Sequence, residues 1–246
     1  MHLQSRELNW LKTIYGIYGM LMITLVVIIS VPIYFLVFAT NIFGKQTPHG
    51  AHKITIAASK AVFIFYLIRV RVMRKPTFDP EKTFVFISNH TSLLDVPACA
   101  LVTPGTFRYL AKEELTKVPL FGYIIRKLYL SVNRKDEESR ARSMNNMLAS
   151  LKDGISIFIF PEGTRNKTDQ PLAKFYDGAF RLSLETNTPI VPMTILNSKK
   201  LLWKFQLRPG YLDCYWGEPI YPLTGESIES LKEKAQNQMM KYLLHQ

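Results

Sequence analysis

From Thr13 to Gly44 the chain runs for 32 residues without a charge, TIYGIYGMLMITLVVIISVPIYFLVFATNIFG. A helix needs roughly 20 apolar residues to cross a bilayer, so this run is long enough to span one. It exceeds a signal-peptide core, and no small-residue cleavage site follows it cleanly. A buried soluble helix of that length is the competing reading. Pro32 removes one backbone donor and is expected to kink the helix. A polar turn, GKQTPHG (44–50), follows, and AHKITIAASKAVFIFYLI (51–68) reads as a second apolar helix interrupted by Lys60. The pair either crosses the membrane or forms a hairpin in one leaflet, with Lys45, Lys53 and Lys60 reaching the headgroups. Basic residues flank the apolar run on both sides, so their distribution does not settle orientation.

The remaining sequence alternates strand-like and helix-like pieces. TFVFIS (83–88), FRYLA (107–111), LYLSVN (128–133), ISIFIF (155–160), PIVPMTIL (189–196) and YLDCYWGEPI (211–220) read as strands. Between them fall helical stretches after His90, at KEEL, over 136–154 and over 174–187, and 227–244 closes the chain. Such alternation predicts an α/β fold, a mostly parallel sheet flanked by helices. RVRVMRK, after Ile68, reads either as a basic segment against lipid headgroups or as a solvated edge strand. The expected domains are a membrane-associated helical segment, 1–68, and an α/β domain, 69–246.

Lys and Arg number 31 against 19 Asp and Glu, a formal charge of +12. That excess suits an anionic partner: nucleic acid, a phospholipid surface or a phosphorylated substrate. The hydrophobic N-terminus favours lipid, and neither a recognition motif nor a stacking platform for nucleic acid is evident. Cys99 and Cys214 are far apart, which argues against a disulfide framework and for a reducing compartment. A membrane location with the α/β domain facing the cytoplasm is the expectation.

Two motifs carry chemistry. NHTSLLD (89–95) follows the strand TFVFIS. His90 and Asp95 would lie roughly 140° apart on a regular helix. They can meet only if His90 sits in a bend before the helix and Asp95 in its first turn, with Thr91 or Ser92 as the cap. The competing reading is a capping box, Ser92-x-x-Asp95, that merely starts the helix. Of the five histidines only His90 lies among the strands and helices of the α/β stretch, His245 being next to the last residue. There is no nucleophile elbow, no Walker loop and no dinucleotide fingerprint. A His–Asp dyad without a protein nucleophile activates a hydroxyl that belongs to the substrate. FPEGTR (160–165) follows the strand ISIFIF, at the sheet edge where α/β proteins bind ligands. Gly163 allows close backbone approach, Arg165 offers a fork of donors for phosphate, and Glu162 can accept from a hydroxyl or hold Arg165. An ordinary turn with a surface ion pair is the alternative.

Together, NHTSLLD and FPEGTR resemble the glycerolipid acyltransferase family that includes the lysophosphatidic acid acyltransferases. LSVNR, ending at Arg134, and IVPM (190–193) resemble that family's central and late blocks, and all four occur in order over about residues 80–200. The resemblance implies a membrane enzyme that moves a fatty acyl group from a thioester to the sn-2 hydroxyl of lysophosphatidic acid. It implies His90 as general base and Asp95 as its orienting partner. Glu162, Gly163, Thr164 and Arg165 match the acceptor motif, with Arg165 on the phosphate. Arg134 and Lys112 match further acceptor contacts, and Pro192 matches the late block. No metal or cofactor is implied. The acyl donor is coenzyme A or acyl carrier protein. Another lysophospholipid or glycerol 3-phosphate as acceptor, or a non-catalytic lipid-binding protein, are the alternatives.

Overall fold

The computed structural model describes residues 2–42, 44, 47–119, 121–203 and 206–244. Lys45, expected among the headgroup-reaching lysines, lies outside the described residues. The chain divides into two compact units. The first comprises residues 1–73, 91–103 and 195–214. The second comprises 74–90, 104–194 and 215–246.

In chain order the elements are α1 (His2–Thr40), α2 (Thr47–Phe65), β1 (Ile68–Arg74), β2 (Val85–Ser88), α3 (Asp95–Val102) and β3 (Phe107–Lys112). A 3-10 turn (Glu113–Lys117) leads to α4 (Phe121–Leu128), β4 (Leu130–Val132), α5 (Glu137–Lys152), β5 (Ser156–Ile159) and α6 (Gly178–Thr186). Then come β6 (Ile190–Leu196), α7 (Ser198–Leu201), β7 (Leu202–Trp203), β8 (Gln206–Leu207), β9 (Gly210–Trp216) and α8 (Ile228–Leu243). One sheet has the order β1-β9-β6-β2-β5-β3-β4, and β7-β8 form a small hairpin. The pairs β2–β5, β2–β6, β3–β4 and β3–β5 are parallel. The mostly parallel α/β sheet read from the sequence is therefore present.

In the second unit, strand alternation sorts side chains onto two faces. Val85, Ile87, Ile157 and Ile159 face one way and join Met147, Leu151, Ala179, Phe180, Leu231 and Met239 in a mainly aliphatic core. This is the side on which α5, α6 and α8 pack. The other face is aromatic. Phe84, Phe86, Phe107, Phe158 and Tyr109 touch in tilted and edge-on pairs, and Phe78 and Trp216 complete the layer. Such ring pairs contribute about 0.5–1.5 kcal/mol each beyond their burial.

In the first unit α1 stays helical through Pro32 and packs along α2. Tyr34 Oη and Thr55 Oγ1 lie 2.7 Å apart, Tyr15 Oη donates to Tyr66 O, and Tyr66 Oη donates to Gly19 O. Among the described residues one helix, Thr13–Thr40, is long and apolar enough to cross a membrane. The second expected helix is present as α2, but it is not among the helices that length and apolarity would let cross. α2 exposes Lys53, Ala57, Lys60 and Ile64 along one stripe, so its outward face carries two charges. It also starts at Thr47 rather than after the turn, because Pro48 falls in the first helical turn, where its missing N–H has no partner to lose.

RVRVMR is strand β1, at one edge of the sheet. Arg71 forks onto Asp213 at 2.6 and 2.8 Å and lies over the Tyr211 ring. The edge-strand reading of this segment is the one observed.

Candidate active site

β2 and β5 are parallel neighbours with Ile87 opposite Ile159. The chain leaves β2 toward β3 and leaves β5 toward β6, in opposite directions along the sheet. Divergence of this kind opens a crevice at the carboxyl ends of the two strands. Three residues past that register lie His90 and Glu162, so two motifs 72 residues apart in sequence are brought together by strand pairing.

The contact between them runs through the main chain. His90 N–H donates to Glu162 Oε1 at 2.7 Å, and Asn166 N–H donates to His90 O at 2.6 Å. Glu162 is 2% exposed, and its Oε2 accepts from Ala173 N–H at 2.9 Å. A buried carboxylate is tolerated only when its oxygens find donors, and here each has one from the backbone. The half-buried His90 ring stacks on Phe160, with centroids 4.3 Å apart and planes within 22°. Phe160 in turn stacks on Tyr109. Phe160 continues the aromatic face that Phe158 shares with Phe86 and Phe107, so the imidazole is an extension of the sheet's ring layer.

Asp95 opens α3 and is fully buried. Its Oδ2 accepts from Thr91 N–H at 2.7 Å and Ser92 N–H at 2.8 Å. The expected cap on Thr91 or Ser92 is corrected. Leu94 occupies the N-cap position without a side-chain bond, and residues 91–94 form a turn closed by Asp95. The hydroxyls are oriented away from the helix start: Thr91 Oγ1 lies 2.8 Å from Ser198 Oγ, and Ser92 Oγ donates to Leu202 O while accepting from Leu94 N–H at 3.4 Å, before the first helical residue.

Gly163 has φ +74°, a conformation that disfavours any residue with a Cβ. A Cβ there would lie 2.9 Å from the Tyr176 ring and 3.0 Å from Arg134 Nη1. This places Arg134, at the end of the β4 segment, directly against the EGTR turn. Desolvation holds the Arg134 pKa below the ordinary arginine value, against the opposing pull of Tyr176 and Glu114. Lys112, exposed at the end of β3, is paired with Glu114 at 2.9 Å. Thr164 and Arg165 are exposed. Pro192 is buried in β6 opposite Ile87, and its carbonyl accepts from Gly217 N–H.

The second unit thus gathers His90, Glu162, Gly163 and Arg134 around one turn. Asp95 is defined by its own turn in the first unit. Phe160, Tyr109, Tyr176 and Asn166 are members of this neighbourhood that sequence reasoning did not single out. The alternation of Phe158 with Phe160 was the available signal for the first.

A parallel sheet with a histidine turn and an EGTR turn at its carboxyl edge defines the class, and the comparisons agree. The chain belongs to the Acyltransferase family, whose profile matches residues 69–196. It is 31% identical over 148 residues to the chloroplast 1-acyl-sn-glycerol-3-phosphate acyltransferase of Arabidopsis thaliana, covering 59% of this chain and 40% of that protein. It is 28% identical over 181 residues to the human 1-acyl-sn-glycerol-3-phosphate acyltransferase alpha, covering 71% and 64%. The chain spans about half or less of the length of the chloroplast relatives, 40% and 52% for those of Arabidopsis thaliana and Brassica napus. The crystal structure of the 1-acyl-sn-glycerophosphate acyltransferase PlsC from Thermotoga maritima has the same fold. The TM-score is 0.75 at 21% identity, over 94% of this chain and 96% of that one.

Proposed function

We propose that this protein transfers an acyl group from a thioester to the sn-2 hydroxyl of 1-acyl-sn-glycerol 3-phosphate, giving phosphatidic acid. One observation carries the assignment: Glu162 and Asn166, at and just past the EGTR turn, hold the amide and the carbonyl of His90, fixing the histidine at the carboxyl edge of the sheet with its ring stacked on Phe160. His90 removes the acceptor's hydroxyl proton as the oxygen attacks the thioester carbonyl. The tetrahedral adduct expels the thiolate, which takes that proton back from the imidazolium. The thioester is already activated, so no acyl-enzyme is needed. General-base assistance supplies about 10²–10⁴-fold, and alignment of hydroxyl and thioester supplies much of the rest.

Asp95 is proposed to orient His90 and support its charge. Arg134, Arg165 and Lys112 are proposed to hold the acceptor phosphate, with Thr164 donating beside them. Glu162 and Gly163 shape that turn. The naming of the relatives after the same acceptor supports the choice of substrate.

The enzyme is proposed to work at a membrane, with α1 in the bilayer and the lysine stripe of α2 at the headgroups of one leaflet, facing the cytoplasm. A one-leaflet hairpin suits α2 better than a crossing, because Lys53 and Lys60 share its exposed stripe.

The test is thiol release by detergent-purified full-length protein, supplied with coenzyme A and acyl-carrier-protein thioesters and a panel of acceptors. Phosphatidic acid formed from lysophosphatidic acid, in preference to lysophosphatidylcholine and glycerol 3-phosphate, is the expected result. Preference for another acceptor overturns the substrate assignment. Tight lipid binding without thiol release overturns catalysis.

A further inference from the structure

We infer that the β7–β8 hairpin is an interfacial membrane contact, with Trp203 seated among the headgroups and carbonyls of an anionic phospholipid leaflet. The inference rests on the membrane reading proposed above and adds a docking element to it.

The hairpin is built two-faced. Leu202 pairs with Leu207 and Trp203 with Gln206, and successive residues of a strand point to opposite sides. Leu207 is buried at the inner side: a Cβ on Gly19 of α1 would lie 2.6 Å from its Cδ2. Trp203 points the other way and stays 39% exposed, large for a ring that could bury about 200 Å². Its face is covered by a charge rather than a hydrophobe, since Lys199 Nζ sits 4.8 Å from the ring centroid. Lys200 follows on the same short helix. An aromatic ring paired with lysines is the chemistry of the headgroup zone, where tryptophan and tyrosine collect and lysines meet lipid phosphates.

The level at which the hairpin meets α1 agrees. Gly19 is six residues past Thr13, where the apolar run of α1 begins, or about 9 Å along the helix axis. Tyr15 and Tyr18 stack on each other at the same end. The stacked tyrosines and the hairpin's anchor at Gly19 therefore lie near the same end of the apolar stretch. The hairpin's base is tied to the turn before α3 by Ser92 Oγ donating to Leu202 O. That turn exposes Leu93 to 59% and is followed by the exposed Val96. The pinning at Gly19 sets the depth of the hairpin by the depth of α1.

The experiment uses the full chain reconstituted in phospholipid vesicles. The chain has three tryptophans, at 10, 203 and 216. Trp10→Phe leaves Trp203 above the constant signal of the buried Trp216, and Trp10→Phe with Trp203→Phe supplies the blank. The difference signal should be quenched by lipids brominated near the carbonyls more than by lipids brominated near the chain ends, and it should be shielded from iodide in the water. Adding phosphatidylglycerol to phosphatidylcholine vesicles should strengthen that quenching. Lys199→Gln and Lys200→Gln should each weaken the hairpin's partition to the anionic surface about fivefold. A Trp203 open to iodide and untouched by every brominated lipid overturns the inference, as does strongest quenching from the chain ends. Trp203→Ala should depress acyl transfer to bilayer-embedded acceptor while sparing short-chain, water-soluble acceptor. Quenching as expected with no thiol release on any acceptor leaves the docking and removes the enzyme assignment. Normal turnover with an iodide-open Trp203 does the reverse.

Discussion

Two buried carboxylates hold one short stretch of chain, and they do it from opposite distances. Asp95 is local. It reaches back three and four residues to the amides of Ser92 and Thr91. Glu162 comes from 72 residues away and takes the amide of His90. Three consecutive backbone N–H groups, 90 to 92, are thereby committed to anions. The local carboxylate can form its turn as soon as the segment is made. The distant one needs β2 and β5 paired before it has a partner. Buried charge of this kind contributes little net stability when satisfied and costs several kcal/mol when one partner is removed. What the arrangement secures is position.

The largest effect separates the side chain they position from the turn itself. His90→Ala should lower acyl transfer by about 10²–10⁴ while the melting temperature stays close to wild type. Thiol release and circular dichroism on the same sample check both halves. A rate within about tenfold of wild type would sink the general-base assignment.

The two carboxylates should then part company. Asp95→Asn keeps an acceptor oxygen for both amides but loses the negative charge. It should cost at least about tenfold in rate with a small change in stability. Glu162→Gln replaces one oxygen with a donor, so the amide of His90 or of Ala173 loses its acceptor. It should destabilise by about 1–3 kcal/mol, read in chemical denaturation, with rate following stability. If both variants lose stability and rate in the same proportion, the division between supporting charge and holding shape is wrong.

Phe160→Leu tests the third restraint on His90. Losing the stack, worth about 0.5–1.5 kcal/mol, should let the imidazole wander and lower kcat up to about tenfold with little change in acceptor KM. A KM effect without a kcat effect would place Phe160 in the acceptor pocket instead. Smaller still is Arg165→Lys, which keeps the charge and loses the planar fork. Acceptor KM should rise severalfold while donor KM holds. No change at all would leave Arg134 as the principal phosphate ligand.

How much of this was readable beforehand depended on range. ISIFIF and PIVPMTIL are continuous apolar runs, and both became buried central strands. The 136–154 stretch carries acids at its start and Lys152 before its end, and α5 obeys it, with Asp136 accepting from Ser139 N–H as N-cap. Short elements left no such trace. The two-residue strands of the hairpin are too brief for any period, and FGYIIRKL packs one glycine and two cations into the eight residues of α4. The site divided the same way. His90 and Arg165 were legible as residue types after strands. Glu162 was legible as a site residue, but its hold on His90 was not, because that bond exists only through the register of β2 on β5. The cap of α3 was not legible because Ser198 and Leu202, more than a hundred residues downstream, orient the Thr91 and Ser92 hydroxyls.

The grip on His90 through its backbone has an evolutionary corollary. The bonds from Glu162 and Asn166 meet an amide and a carbonyl that any side chain at position 90 would carry. A single codon change there would silence the chemistry and leave those two main-chain bonds in place. A duplicated copy of such a gene could therefore pass from catalyst to lipid carrier or sensor in one step, without crossing an unfolded intermediate. The glycine at 163 is the opposite case. Its backbone conformation and its two close neighbours forbid drift, so that position should stay monomorphic in descendants long after the histidine has been lost.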